Sequence, residues 1–593
     1  MIVPMKKLHV IVQKKDIVPA LSSLRDLGIV HVEHQEELSG YQLEERREEV
    51  AMLKEVLEIF TRFERKLPAP QKEISDWTDV VTDIQKLYAE IGHDQESVTQ
   101  REIQIRQWEP WGDFDPKDIE ALAARGIYVQ LCEVPAGKET VVPKGVILEK
   151  IHLASGTYKC LAICREKVEL PWETITPPAL GLDQMKKMQT EDQAKILRAE
   201  GRIAELRCYS GAFQKILVER ENVLRFEEVE KGMRAAEELA LLKGYCPIDA
   251  CEVIAAKAKQ EQWGILFEDP SEEDSVPTLL RNPRWVEMIK PVFSIINVLP
   301  GYREVDISPV FLIFFSVFFG ILIGDAAYGS VFLILTMIFH NKLKYKVKDA
   351  APFILMYILS ASAITWGVLT GTFLGTVLLG AKLKPVVAWL TQSKNVQLLC
   401  FTIGAAHLIL AHLWRCVRRW PGSGAWAELG WVWILWISYG LVKSMIILGQ
   451  ADMAVILDAL KGMVPGAVLI VYDIARGPKS QIPVGIVLLL FSIISAFTDI
   501  VSYVRLFAVG LAGTAVADAF NQMALSIGFN NVVSGIFTSL ILVVGHAFNI
   551  VLCGFGVLVH GLRLNVLEFS GHLGLEWTGF QYEPFKKINQ SSS

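Results

Sequence analysis

No C-x-x-C pair occurs among the nine cysteines of this 593-residue chain, and the closest two, Cys160 and Cys164, lie in a segment without neighbouring histidines. A thiol redox motif or a zinc site needs denser ligand spacing, so free and mostly buried thiols are expected, with no metal. A nucleotide-binding loop is also missing. The nearest approach to G-x-x-x-x-G-K-[ST] runs from Gly375 to Lys382, where Ala381 separates the second glycine from the lysine; neither a nucleotide nor another cofactor is expected. There is no H-E-x-x-H and no nucleophile elbow, which leaves no hydrolytic centre to assign. No basic block suits nucleic acid, and a net charge of -6 says little about partners. The opening MIVPMKKLHVIVQKKD has too short an apolar core and no small-residue cleavage site for a signal peptide, so the N-terminal half is expected to stay in the cytoplasm.

What the chain has in excess is hydrophobicity. At 51% hydrophobic residues and a mean hydropathy of +0.33 it is too apolar for a soluble enzyme of this length. The average hides a split, because residues 1–290 are charged and helix-patterned while long apolar runs follow one another from about 308 to 570. A cytoplasmic arm (1–290), a linker (291–307), an all-α membrane domain (308–570) and a cytoplasmic tail (571–593) are therefore expected.

Within the arm, residues 6–12, 17–27 and 29–33 pattern as strand, helix and strand, and residues 241–246, 249–260 and 263–267 repeat that order. Two such units pair into one ferredoxin-like proximal lobe (1–36 and 240–270), so everything between them is an insertion. Leu43, Val50, Leu53, Leu57, Phe60 and Leu67 hold heptad positions, as do Ile84, Leu87, Ile91, Val98, Ile105 and Trp108; a returning helix is expected from 182 to about 229. These runs predict a coiled-coil rod (41–108 and 182–235) that leads to a distal α/β lobe (109–178). The arm is thus α+β, two lobes joined by a rod.

Seven apolar stretches come after the arm, at roughly 308–339, 352–379, 396–414, 429–448, 453–474, 482–526 and 535–566. Seven crossings from an inside N-terminus would put Lys342, Lys344, Lys346 and Lys348 outside, against the positive-inside tendency. A turn at Gly324 and Asp325, with Gly329 just beyond, makes the first stretch a hairpin and brings those lysines inside. Arg415, Arg418, Arg419, Arg476, Lys479, Lys586 and Lys587 come inside too. About eight helices in the cell membrane, with both termini cytoplasmic, is the topology adopted.

Arg505 stands in TDIVSYVRLFAVGLAGTAVADA, residues 498–519. Its guanidinium keeps its charge at any depth, so a use or a partner must be found for it. Thr498, Ser502, Arg505, Val509, Ala512, Val516 and Ala519 fall at steps of four and three and share one helical face. Small residues permit close helix approach in lipid, which makes that face a contact surface carrying one fixed charge. The plain alternatives are snorkelling, or pairing with a structural carboxylate such as Asp499. The stretch 482–526 is about twice the length of a perpendicular span and is expected to tilt or protrude. On the last helix His546, Asn549, Cys553, Gly556, His560 and Arg563 form a second polar file, with Glu568 beyond it. A polar file along a spanning helix lines water or an ion route more often than it serves packing alone. His407 and His412 are expected to be structural.

Six strings carry a resemblance: PWGDFD (110–115), LKGYCP (242–247), FFGILIGDAAYG (318–329), IGAAHL (403–408), SYVRLFAVGLAG (502–513), and HGLRLNVLEF (560–569) with YEPF (582–585). By these the chain resembles the membrane-embedded stator subunit of V-type and A-type rotary ATPases, called subunit a in eukaryotes and subunit I in prokaryotes, and its compactness is similar to the prokaryotic type. The resemblance implies a lobe-rod-lobe arm and eight helices, and a non-catalytic subunit that hydrolyses no ATP itself. It implies that Arg505 faces the carboxylates of a rotating proteolipid (c/K) ring, that Arg563 is a second arginine near it, and that H⁺ or Na⁺ crosses by two half-channels. Candidate half-channel residues are Thr498, Asp499, Ser502, His546, Asn549, His560 and Glu568, with His560 and Glu568 on the cytoplasmic side. Implied partners are the ring, peripheral stalk subunits of E/G type, a central-stalk subunit of d/C type and the lipid bilayer. Eukaryotic members carry glutamates at the places of Phe491 and Cys553 and a histidine at that of Gly513; here all three are non-ionisable.

Two rival readings differ in class. A secondary transporter with a large cytoplasmic regulatory domain would bind a solute between inverted repeats, and no repeated half is found. A tethered scaffold would explain the arm but not Arg505.

Overall fold

The computed structural model describes residues 1–33, 41–63, 72, 74, 76–135, 142–154, 156–236, 238–344, 347, 349–375, 384–450, 452–478, 480 and 482–588. Leu67 of the heptad seam, Lys346, Lys348, Lys479 and the near-motif after Gly375 lie outside the described residues. The chain divides into two compact units. One holds Met1–Leu8, Tyr245–Ala256 and Phe267–Pro584, and the other His9–Gly244, Lys257–Leu266 and the stretch from Phe585 on.

The more polar part of the chain is built on a sheet. Strands β1 (Met5–Gln13) and β2 (His31–Glu33) flank helix α1 (Ile17–Leu27). Then come helices α2 (Tyr41–Arg62) and α3 (Trp77–Trp108), the short α4 (Pro116–Ala124), strands β3 (Tyr128–Pro135), β4 (Val146–Ala154), β5 (Thr157–Cys164) and β6 (Glu173–Ile175), and helices α5 (Leu182–Leu206) and α6 (Ser210–Lys231). Strands β7 (Arg234–Ala236) and β8 (Leu239–Pro247), helix α7 (Cys251–Glu261) and strand β9 (Gly264–Glu268) complete the region. The sheet order is β2-β8-β1-β9, with β7 pairing β8, so the strands of the two β-α-β stretches interleave.

Four long helices of the insertion pack in two antiparallel pairs. Arg47 meets Glu228 and Lys54 meets Glu221, while Lys186 meets Glu109 and Arg101 meets Asp192, so α2 runs antiparallel to α6 and α3 to α5. Their shared core takes Leu53, Val56, Ile59, Phe60, Val81, Ile84, Ile91, Ile203, Leu206 and Phe213. The returning helix expected as one piece is two, interrupted at Arg207–Tyr209, because the chain changes partner there from α3 to α2; Lys72 N donates to the Cys208 carbonyl at 3.0 Å at that change. A second sheet, β4-β5-β3-β6, is antiparallel throughout. Cys132, Cys160 and Cys164 sit in its core, and burial pushes the Cys132 thiol up to about 11. At the end of the chain the Phe585 amide donates to Val30 O at 2.7 Å, and Asn222 exchanges two hydrogen bonds with the backbone of Ile588.

The apolar unit begins with two short helices, α8 (Arg284–Glu287) and α9 (Lys290–Ile296), and Val292 and Phe293 of the second enter the main core. Beyond them come α10 (Ser308–Ile323), α11 (Ala326–Leu343), α12 (Ala351–Thr370), α13 (Ser393–Arg419), α14 (Ser423–Val442), α15 (Met453–Arg476), α16 (Ile482–Ser502), α17 (Val504–Ile527), α18 (Val532–Gly556) and α19 (Ser570–Leu573). Among the described residues seven helical stretches are long and apolar enough to cross a membrane, and α10 is apolar but shorter at 16 residues. Gly324, at φ 66, ends α10; Asp325 then caps α11, its carboxylate accepting from Ala327 N at 2.8 Å and Tyr328 N at 3.2 Å. Both helices pack on α12, where Gly329 lets α11 approach so closely that a Cβ there would lie 2.8 Å from Ile364 N.

Candidate functional site

The long stretch through Arg505 is not one straight helix. Two tight bonds, Tyr503 N to Ile500 O at 3.2 Å and Leu506 N to Tyr503 O at 3.1 Å, divide α16 from α17 at Tyr503. That ring is fully buried; its hydroxyl meets His407 Nδ1 at 2.9 Å, and His407 stacks on Phe569 and Phe314. The anchored kink places Arg505 one residue into the new helix and leaves the Ser502 carbonyl free to accept from Arg505 Nε at 3.0 Å.

The guanidinium's other bond is to the last helix, where Nη2 donates to Glu568 Oε1 at 2.5 Å. Ser502 Oγ reaches the same oxygen at 3.4 Å and Arg563 Nε lies 3.6 Å from it. The partner is therefore Glu568, not Asp499, which bonds His572 and Ser495 instead. Glu568 Oε2 is buried with no hydrogen-bond partner among the described residues. The Arg505 side chain keeps 22% of its surface, Arg563 keeps 54% and Glu568 only 6%. None of Thr498, Ser502, Val509, Ala512, Val516 and Ala519 is buried, whereas Leu506, Gly513, Ala517, Asn521 and Ala524 are. One face of α17 packs inside the chain and the other, with Arg505 on it, stays partly exposed.

A cavity of about 570 Å³ adjoins Glu568, lined among others by Asp499, Ser492, Ser495, Arg563, His412 and His572. Glu428, buried on α14, accepts from Arg419 Nη1 at 2.8 Å, pairs with Arg415 Nε at 3.0 Å and meets His412 Nδ1 at 2.7 Å. His412 Nε2 meets His572 Nδ1 at 2.9 Å. A second network lies about 24 Å along α17, judged by the 16-residue step from Arg505 to Asn521 and the helical rise. There His546 bonds Tyr328 OH at 2.8 Å and Asn521 Oδ1 at 3.1 Å, and Asn549 donates to Tyr328 OH at 3.0 Å and Gly513 O at 2.7 Å. Asn521 in turn donates to Leu374 O at 2.6 Å, and Gly375 N to Asp325 at 2.8 Å. A cavity of about 430 Å³, lined among others by Gly324, Thr370, Thr372, Leu506, Gly510 and Thr514, lies along α17 between Arg505 and that network.

The polar file expected on the last helix is thus divided. Two π-helical turns, Val557–Gly561 and Leu564–Phe569, succeed α18 and shift the register by extra residues. His546, Asn549 and Cys553 face inward above them and Glu568 faces inward below; His560 is half-buried and Arg563 exposed. Thr498 is exposed and its hydroxyl is turned back to Ser495 O. Sequence reasoning misses Tyr328, Asn521, Glu428 and His572, and sets His412 aside as structural. Glu428, a lone carboxylate at the edge of an apolar run, was the one signal available.

No family model matches the chain. V-type ATP synthase subunit I 1 of Treponema pallidum is 29% identical over 99% of this chain and all of its own length, and V-type ATP synthase subunit I of Borreliella burgdorferi is 29% identical over the full length of both. A-type ATP synthase subunit I of Pyrococcus horikoshii is 27% identical over 79% of this chain and 73% of its own. A crystal structure of the cytoplasmic N-terminal domain of subunit I, homolog of subunit a, of V-ATPase covers 44% of this chain at 13% identity, but with a TM-score of 0.21 it supports no inference. End-to-end coverage in two V-type proteins makes the chain a homologue of V-type and A-type ATP synthase subunit I.

Proposed function

We propose that this chain is the membrane stator of a V/A-type rotary ATPase or ATP synthase. Arg505 is the fixed cation past which the carboxylates of a proteolipid ring turn, and the chain carries no ATPase centre of its own. One observation carries the reading. The Arg505 guanidinium is held from one side by Glu568 and keeps part of its surface on a face where Thr498, Ala512 and Ala519 are exposed and Ser502, Val509 and Val516 are partly so among the described residues. A ring carboxylate arriving from lipid is protonated; a guanidinium within a few ångströms favours its ionised form and so the release of its ion. The same charge repels a bare cation moving straight between the two polar regions, so the offset of about 24 Å is crossed only by rotation.

On the inside-lysine orientation, with eight crossings and both termini cytoplasmic, the 570 Å³ cavity opens toward the cytoplasm and forms one half-channel with Asp499, Ser502, Arg563 and Glu568. The network of Tyr328, His546, Asn549 and Asn521 belongs to the other. His560 lies between them, and Thr498 belongs to the ring-facing surface. The polar arm holds the peripheral stalks and meets the central stalk.

The test is Arg505→Lys in the complete complex reconstituted in vesicles. A compact ammonium loses the planar fork, and burial can neutralise it. ATP-driven ion uptake is expected to vanish while hydrolysis by the soluble sector persists. Uptake at the unaltered rate would refute the assignment.

A further inference from the structure

Four side chains from four separate helices make one unbroken hydrogen-bonded file at the wall of the larger cavity. Asp499 Oδ2 meets His572 Nε2 at 3.1 Å, His572 Nδ1 meets His412 Nε2 at 2.9 Å, and His412 Nδ1 meets Glu428 Oε2 at 2.7 Å. Arg419 donates to the other oxygen of Glu428 and Arg415 Nε forms an ion pair with it at 3.0 Å, so that residue enters the file as an acceptor. Counting protons gives the charge of the file when both carboxylates are ionised. Three hydrogen bonds strung between two carboxylates need three N–H groups, and two imidazoles supply three only when one of them is an imidazolium.

The extra proton has two homes among the imidazoles, with unlike neighbours. With His412 charged, it donates to both Glu428 and His572, and neutral His572 donates to Asp499. With His572 charged, it donates to both His412 and Asp499, and neutral His412 donates to Glu428. Every bond is satisfied either way, and the two arrangements interconvert when the Nε2–H bond of His412 breaks as the Nδ1–H bond of His572 forms. The buried end is closed, since the side chains of His412 and Glu428 are 4% and 2% exposed. Exchange takes place at the other end, where His572 and Asp499 keep 12% and 29% and line the cavity. There the Nε2 proton of His572 passes to Asp499 and on to cavity water, and a later proton returns by the same route.

We infer that this file is a proton store that loads and feeds the cavity beside Arg505, and that the ion the chain passes is H⁺ rather than Na⁺; this rests on the stator reading above. The other charged groups facing the file are Arg415, whose Nη1 donates to the His572 carbonyl at 2.9 Å, Arg419, and Arg563 and Glu568 across the cavity. His407, on the same helix as His412, is taken up by Tyr503 and two aromatic faces. The cavity wall also carries the carboxylates of Asp499 and Glu568 and the hydroxyls of Ser492 and Ser495, while the file itself runs through two imidazoles, which relay protons and offer no oxygen to a metal cation.

The experiment uses the complete complex in vesicles, with the unaltered chain, His412→Gln, His572→Gln, His572→Ala and Arg505→Lys. ATP-driven lumen acidification and uptake of radiolabelled sodium are followed between about pH 5.5 and 8.5, the range in which imidazole chemistry is felt. Acidification in sodium-free buffer is expected. His572→Gln is expected to slow it by about tenfold or more toward the alkaline end, where free protons are scarcest, and so to change the pH profile. Imidazole added to His572→Ala is expected to restore part of the rate, and thiazole, of like shape but feebly basic, none. An unaltered pH profile in His572→Gln, equal rescue by thiazole, or sodium uptake in place of acidification would overturn the inference and leave the Arg505→Lys result standing. Pumping by Arg505→Lys would instead overturn the reading beneath it. Should His412→Gln fail to assemble, the variants at position 572, beside the cavity, still decide the matter.

Discussion

Arg505 and Glu568 stabilise each other across two helices, and neither has an equivalent replacement. Arg505 donates at 2.5 Å to an oxygen that Ser502 and Arg563 also approach, while the second oxygen of Glu568 has no partner among the described residues. Removing one member of a pair buried to this degree leaves the other charge uncompensated. Glu568→Gln is therefore expected to lower the stability of the detergent-solubilised chain by about 1–3 kcal/mol. Adding Arg505→Gln should recover part of that loss, read as a positive coupling in a double-mutant cycle of thermal melts. Strictly additive losses would show that the pair does not act as one.

At the scale of the element, the last helix explains why a file read at steps of three and four does not stay on one face. Two π-helical turns between Val557 and Phe569 displace the residues beyond them, and no periodicity in the sequence announces those turns. The turn at Gly324 and Asp325 is the opposite case, since a glycine and a capping carboxylate adjoin in the chain and carry their own reason for ending one helix and starting the next. Close helix approach tests this scale directly. Gly329→Ala would bring a methyl to 2.8 Å of the Ile364 backbone, whereas Gly440→Ala meets nothing within 4 Å. The first is expected to cost about 1–3 kcal/mol and the second to be neutral or mildly stabilising, measured as shifts in the melting of the purified chain. Equal behaviour of the two would mean that α11 and α12 are not packed as described.

For the whole molecule, each unit carries acidic groups whose partners bind the ionised form. Lys7 donates to Asp274 at 2.6 Å and holds its carboxyl at about 2; Lys195 and then Arg101 hold that of Asp192 below the usual carboxylate range. The sign comes from linkage. Both groups are depressed in the folded state, so their contribution is complete above the unfolded carboxylate range and is lost as pH falls toward the folded values. Acid unfolding is expected to set in below about pH 4, and Asp274→Asn should flatten the lower part of that profile near pH 2 to 4 while lowering stability at neutral pH. A profile indifferent to the substitution would show that Lys7 contributes nothing there.

Composition and periodicity by themselves determined that a charged, helix-rich part precedes an apolar one, that strands and helices alternate as they do in residues 5–33 and 239–268, and that Arg505 shares a face with small residues. Those facts are local, set by the spacing of apolar side chains and by turn residues next to one another in the chain. Tertiary structure alone decided that Glu568 rather than Asp499 answers Arg505, and that His412, Glu428, Asp499 and His572 meet. Residues 412 and 572 are far apart in the chain, and a hydrogen bond between them depends on how α13, α16 and the π-turned last helix pack, which no pattern within any one of them contains.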